Sequence, residues 1–155
     1  MIGIIGAMEE EVAALKDDME VQETIEQASM EFCKGTLCGK EVVVVRSGIG
    51  KVNAGICAQI LVDRFQADTL INTGIAGSLD AKIDIGDMVI STDALHHDMD
   101  ATVFGDPVGQ VPRMDTLAFP ADETLVQKAV QANEKANPDI HTFTGRIASG
   151  DQFIS

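Results

Sequence analysis

Met1 to Ala7 is a continuous apolar run carrying Gly3 and Gly6, the pattern of a strand buried on both faces. From Glu9 to Met19, Val12 and Leu15 stand at helical spacing and predict a helix. Met30 to Leu37 alternates weakly and reads as a strand, followed by a turn at Cys38 to Lys40. Glu41 to Arg46 holds four consecutive valines, Val42 to Val45, and predicts a second doubly buried strand. Ser47 to Gly50 is a glycine turn, and Lys51 to Phe65 carries Val52, Ile56, Ile60 and Leu61 on a helical stripe. A short apolar strand at Thr69 to Asn72 and a second glycine turn at Gly74 to Ser78 come next, then a strand over Asp87 to Thr92.

Asp98 to Ala118 has no period and contains Pro107, Pro112, Gly105 and Gly109, so it reads as a long functional loop. Asp122 to Asn137 is an amphipathic helix closed by Pro138, and His141 to Ile147 is a last strand before the Ser149-Gly150 turn. Strands alternating with helices, with glycine turns after the strands, indicate an α/β sheet flanked by helices.

Composition narrows the function classes. Hydrophobic residues make up 45% of the 155-residue chain and charged residues 23%, an ordinary globular balance with room for one core. Six Phe with no Trp or Tyr make that core aliphatic. A net charge of −14 repels phosphate backbones, so nucleic acid is not an expected partner. The N-terminal apolar run is too short for a signal peptide or a membrane span, and no membrane partner is expected. Cys33, Cys38 and Cys57, an odd number without a repeated spacing, read as reduced thiols of a cytoplasmic protein.

Four segments carry candidate chemistry. Ser47-Gly48-Ile49-Gly50-Lys51 lies between a strand and a helix but fails both nucleotide fingerprints. Val45 and Val52 occupy the Walker positions for Gly and Ser/Thr, and Asn53 occupies the third glycine of the dinucleotide pattern. Met8-Glu9-Glu10-Glu11 places three acids in a first helical turn, where the helix dipole alone favours them. A carboxylate at the end of the first strand could also serve as a general base toward water. His96, Asp98 and Asp100 would share one face of a strand and are metal-capable, yet no third segment supplies ligands, so the segment reads as a polar strand end whose acids cap turns and no metal is expected. Phe153, after the Ser149-Gly150 turn, is either core or a platform for a base, a stacking contact of about 1–3 kcal/mol.

Taken in order, Gly3 to Glu11, Ser47 to Lys51, Ile71 to Gly74, the loop from His97-Asp98 through Thr102, Phe104-Gly105, Gly109-Gln110 and Pro112, and Ser149-Gly150-Asp151 resemble the 5'-methylthioadenosine/S-adenosylhomocysteine nucleosidases. The match runs in family order across nearly the whole chain. The resemblance implies the nucleoside phosphorylase/hydrolase fold: a three-layer αβα architecture with a central mixed sheet. It further implies a homodimer without metal or cofactor, acting on thio-substituted adenosines in methionine salvage.

By that resemblance Glu11 activates the attacking water. Met8 and Ile49 lie near the ribose and its 5'-thio group, Ala7 is a further substrate-binding position, and Ala76 and Gly77 form the turn behind the base. Phe153 stacks on adenine, Ile154 hydrogen-bonds it through its main chain, and Gln152 lies beside it. Ala101 and Phe104 enter the neighbouring subunit's pocket. Ile75 stands where many members have serine. The family's ribose-gripping glutamate and base-protonating aspartic acid fall beyond Ser155, so residues 1–155 are expected to be a single nucleosidase domain, incomplete at its C-terminus. A purine nucleoside phosphorylase on the same fold and a non-catalytic nucleoside-binding fragment are the alternatives.

Overall fold

The computed structural model describes residues 1–154, which fall into two compact units, Met1–Ala76 and the residues from Gly77 onward. The first unit runs β1 (Ile2–Gly6), α1 (Glu9–Asp18), β2 (Glu20–Gln27), β3 (Met30–Leu37), β4 (Lys40–Arg46), α2 (Lys51–Asp63) and β5 (Thr69–Asn72). Its five strands form one mixed sheet in the order β2-β3-β4-β1-β5. β1 lies parallel between β4 and β5, while β2, β3 and β4 form an antiparallel meander.

The apolar runs of β1 and β4 occupy the middle of this sheet because both of their faces are covered. On one face Val43 and Val45 pack with Ile5, Phe32 and, from α2, Cys57 and Leu61. On the other, Val42 and Val44 pack with Ile4, Cys33 and, from α1, Val12. The period-two alternation of the valine run thus feeds two separate clusters, one under each helix. Phe32 stacks on Phe65 with ring centroids 5.3 Å apart, closing the α2 side.

β2 is an edge strand that no hydrophobic pattern announced. Most of its side chains are exposed, and its register shifts between Val21 and Glu23. Gly35 faces that irregularity: a Cβ there would lie 2.0 Å from the Glu20 carbonyl oxygen. Exposed Glu20, Glu23 and Glu26 guard the edge against pairing with another chain.

The second unit contains β6 (Met88–His96), a 3₁₀ turn (Thr102–Phe104), β7 (Phe119–Pro120), α3 (Glu123–Ala136) and β8 (Thr142–Ser149). Its sheet is also mixed, in the order β7-β6-β8, with β8 parallel and β7 antiparallel to β6. α3 packs on β6 and β8. Its N-cap Asp122 accepts the Leu125 N–H, and its buried Asn133 donates to Thr142 Oγ1 at 2.9 Å. β6 reaches four residues beyond the strand end read from sequence, because Asp93, which interrupts the apolar run, bonds Arg146 of β8 at 2.6 and 2.9 Å.

The α/β class with mixed sheets is as expected, with the strands shared between a five-stranded and a three-stranded sheet. The long loop between β6 and β7 is irregular apart from its 3₁₀ turn. All three cysteines are free, Cys33 and Cys57 buried and Cys38 exposed. Among the described residues no helix is long and apolar enough to cross a membrane.

Candidate active site

In the first unit, β1, β4 and β5 end side by side. The Ser47 N–H, just past β4, donates to Gly6 O at 2.8 Å, and the Thr73 N–H, just past β5, donates to Ile5 O at 2.9 Å. These bonds gather three strand-to-loop junctions at the carboxyl edge of a parallel segment, where open α/β sheets bind ligands. Glu11 stands at this edge. It is the third residue of α1, so its side chain reaches back over the helix start. Its Oε2 accepts the N–H groups of Ala7 at 2.7 Å and Met8 at 2.9 Å. Its Oε1 accepts the N–H of Ile75 at 3.1 Å.

The other two acids of the tract are committed elsewhere or solvated. Glu9 bonds Lys16 at 3.0 Å and lies 3.7 Å from Arg46, and Glu10 is exposed. Lys16 also reaches Glu31 at 3.3 Å. Burial works against its charge, but the hydrogen bonds to the two glutamates outweigh that and hold its pKa above the ordinary lysine value.

Ala7 and Met8, whose N–H groups bond Glu11, also line an open cavity of about 650 Å³ together with Glu9, Glu10, Arg46, Ser47, Ile49 and Asn53, although Glu11 itself does not line it. The Ser47-to-Gly50 turn is shaped by positive φ at Gly48 and Gly50, and Asn53 Nδ2 ties it down through Ile49 O at 2.7 Å. The Ile49 side chain is left 75% exposed at the cavity. The structure therefore brings together Ala7, Met8, Glu11 and Ile49, with Ile75 reaching Glu11 through its backbone. The Ile75 side chain is 83% exposed and takes no part in that bond. Ala76 follows it, also exposed.

In the second unit, the candidate base platform follows β8. The His97 N–H donates to Ser149 O at 3.0 Å, and Asp98 Oδ2 accepts the Asp151 N–H at 2.8 Å. Gly150 fits between them, since a Cβ there would fall 2.4 Å from His97 Nε2. Gln152, Phe153 and Ile154 are exposed, Phe153 at 96%, and Gly77 is exposed as well. Phe153 is thus not core within its unit. Asp98 as the anchor of this turn was not singled out in the sequence, although its place beside His97 in a matching motif was the available signal.

Asp100 caps the 3₁₀ turn, accepting from Thr102 N at 3.0 Å and Thr102 Oγ1 at 2.7 Å, and these bonds hold its carboxyl below the usual range. The acids after β6 therefore cap turns, and among the described residues no group of three His, Cys, Asp or Glu is placed to hold a metal ion. Of the two loop residues assigned to a neighbouring subunit, Ala101 is buried within its own unit and Phe104 is 85% exposed.

The family model of the phosphorylase superfamily matches residues 1–155. The chain belongs to the phosphorylase superfamily. Among curated relatives it is similar to the 5'-methylthioadenosine/S-adenosylhomocysteine nucleosidases of Geobacillus sp. (strain WCH70), at 49% identity, and Staphylococcus haemolyticus (strain JCSC1435), at 47%. Each match covers 99% of this chain and 66% of the relative. Among solved structures it superposes on the nucleosidase of that name from Colwellia psychrerythraea 34H in complex with adenine. That match has a TM-score of 0.94 and 44% identity, over 99% of this chain and 63% of the other. The Neisseria meningitidis nucleosidase in complex with methylthio-immucillin-A matches with a TM-score of 0.93 and 38% identity, over 99% and 65%. The chain thus spans slightly under two thirds of these relatives.

Proposed function

We propose that this chain is the part of a 5'-methylthioadenosine/S-adenosylhomocysteine nucleosidase domain that carries its water-activating base and one wall of its base pocket. The observation that carries the reading is the Glu11 carboxylate, fixed by three backbone N–H groups at the carboxyl edge of the parallel strands. A side chain needed only to cap α1 would bond the Met8 N–H, as the third residue of a capping box does. The bond to Ile75, 64 residues away, is outside that role and fixes the carboxylate over the sheet edge. The adenine and methylthio-immucillin complexes of similar enzymes support the substrate class.

In the proposed reaction a water oxygen bonds to the ribose anomeric carbon while its proton passes to Glu11. The electrons of the glycosidic bond leave with adenine, which takes up a proton and departs neutral. Positive charge gathers on the sugar as this bond breaks, and a carboxylate on the water's side both stabilises it and removes the proton. Met8 and Ile49 flank the ribose and its 5'-thio group, with Ala7 beside them. Ile75 lies near the sugar, Ala76 and Gly77 form the turn behind the base, Phe153 and Ile154 hold adenine, and Gln152 lies beside them. A homodimer in which Phe104 enters the neighbouring subunit's pocket, with Ala101 buried in its own unit at the base of that turn, completes the reading, as does a place in cytoplasmic methionine salvage.

A phosphorylase needs free cations around phosphate. Arg46, the cation lining the cavity, is paired with Glu9, and the acids Glu9 and Glu10 also line it. That argues against phosphate as the nucleophile's source.

The test is adenine release from methylthioadenosine by the full-length protein in phosphate-free buffer. Glu11→Gln is expected to lower the rate by about 10²–10⁴-fold, the usual contribution of a positioned base, with adenine binding retained. Release that requires added phosphate would instead identify a phosphorylase. Binding of adenine without turnover by the wild type would leave only a nucleoside-binding module.

A further inference from the structure

We propose that Gly74 is a positioning residue for Glu11, kept without a side chain so that the carboxylate can sit on its three N–H donors and present Oε1 to water. The inference rests on the hydrolase reading above. Gly74 lies outside the positive-φ region, so the backbone there does not call for glycine. The demand comes from space. A Cβ on Gly74 would stand 2.5 Å from Glu11 Oε1, 2.9 Å from its Cδ and 3.2 Å from Oε2. All three contacts are with the carboxyl group itself.

Gly6 closes the other side. A Cβ there would lie 2.7 Å from Val12 Cγ1 and 3.0 Å from Glu11 Cβ, and Gly6 too lies outside the positive-φ region. Two bare backbone positions, one at the end of β1 and one just past β5, therefore bracket the stem and head of one side chain. Val12, behind Glu11, is fully buried, so the helix cannot roll away to make room.

The hydrogen bonds then distinguish the two oxygens. A carboxylate offers about four lone-pair directions, two on each oxygen. Ala7 and Met8 take both on Oε2, and Ile75 takes one on Oε1. The direction that remains is on Oε1, the oxygen that Gly74 adjoins. Oε1 is the atom that receives the proton from water, and a side chain at position 74 would crowd that oxygen.

The experiment combines Gly74→Ala with Glu11→Ala in the full-length protein and reads both thermal stability and methylthioadenosine hydrolysis. Gly74→Ala alone is expected to lower kcat by about 10²-fold, the cost of a reacting group misplaced by roughly 1 Å, with KM for methylthioadenosine and the affinity for adenine little changed. It is also expected to lower the melting temperature, and that loss should vanish in the Glu11→Ala background, where there is no carboxyl group to strike. If Gly74→Ala fails to fold with Glu11 present but folds without it, the collision is shown directly. An equal loss of stability in both backgrounds, or failure to fold in both, would overturn the proposal, because the glycine would then serve the backbone. An unchanged kcat would overturn it as well. The stability cycle needs no turnover, so a folded wild type that releases no adenine sinks the hydrolase reading while the clash between Gly74 and Glu11 is still read separately.

Discussion

Glu9, Glu10 and Glu11 are indistinguishable as letters, and only their places on the first turn of α1 separate them. Glu9 turns outward to Lys16 and Arg46, Glu10 stays in water, and Glu11 reaches back over the strand end. The helix dipole explains acids here in general, but not the bond to Ile75. The same scale governs the second unit's turn, where one oxygen of Asp98 holds the Asp151 N–H two residues before Phe153. If that bond sets the direction of the base platform, Asp98→Ala should weaken adenine binding, raising KM for methylthioadenosine while kcat changes little. Asp98→Asn keeps an acceptor oxygen and should recover most of the loss. A general structural role would not make that distinction, so equal effects of the two variants, read by calorimetry with adenine, would sink the idea. Ile75 shows what a sequence conceals at this scale: its side chain was the departure noted, yet its backbone N–H makes the contact.

Elements were legible in proportion to how regularly their burial repeats. β1 and β4 are covered on both faces, so their apolar runs stand out. The stripe read on α2 was half right: Ile60 and Leu61 face the sheet together with Cys57, while Val52 and Ile56 are exposed. β2 was invisible because an edge strand buries little and its register shift at Val21 to Glu23 breaks the period of two. β6 was read too short for an electrostatic reason: Asp93 looks like a strand end until Arg146 of β8 meets it. The hydrogen bond from Arg146 holds the Asp93 carboxyl below its ordinary value. A carboxyl group with a lower pKa folded than unfolded favours the folded state when ionised. Its contribution is complete above about pH 4, the ordinary aspartate value, and is lost as pH falls through the folded value. The stability difference between wild type and Asp93→Asn should therefore be constant from about pH 5 to 8 and shrink below about pH 4. Thermal unfolding across that range measures it, and a difference that persists undiminished into acid would show that the pair adds nothing through charge.

At the scale of the whole molecule the decisive question is whether one subunit completes another's pocket. Phe104 and Val103, adjacent on a 3₁₀ turn, are both strongly exposed, while Ala101 beside them is anchored in its own unit. An aromatic side chain held on a capped turn and left in water is suited to docking elsewhere, and Asp100 fixes that turn through both its bonds to Thr102. In a twofold dimer the contact would be reciprocal, each subunit lending Phe104 and receiving its partner's. Hybrid dimers test this directly. Take one subunit carrying Glu11→Gln and the other Phe104→Ala. If Phe104 crosses the interface, the second subunit keeps its own Glu11 and receives an intact Phe104 from the first, so one site is fully competent and the other carries both defects. The hybrid should then regain about half the wild-type activity at low substrate, well above the mean of the two parent homodimers. If Phe104 serves its own subunit, each site of the hybrid carries one defect, and the activity equals that mean. Recovery in the hybrid therefore assigns Phe104 to the partner's pocket, and its absence confines the substrate contacts to a single chain.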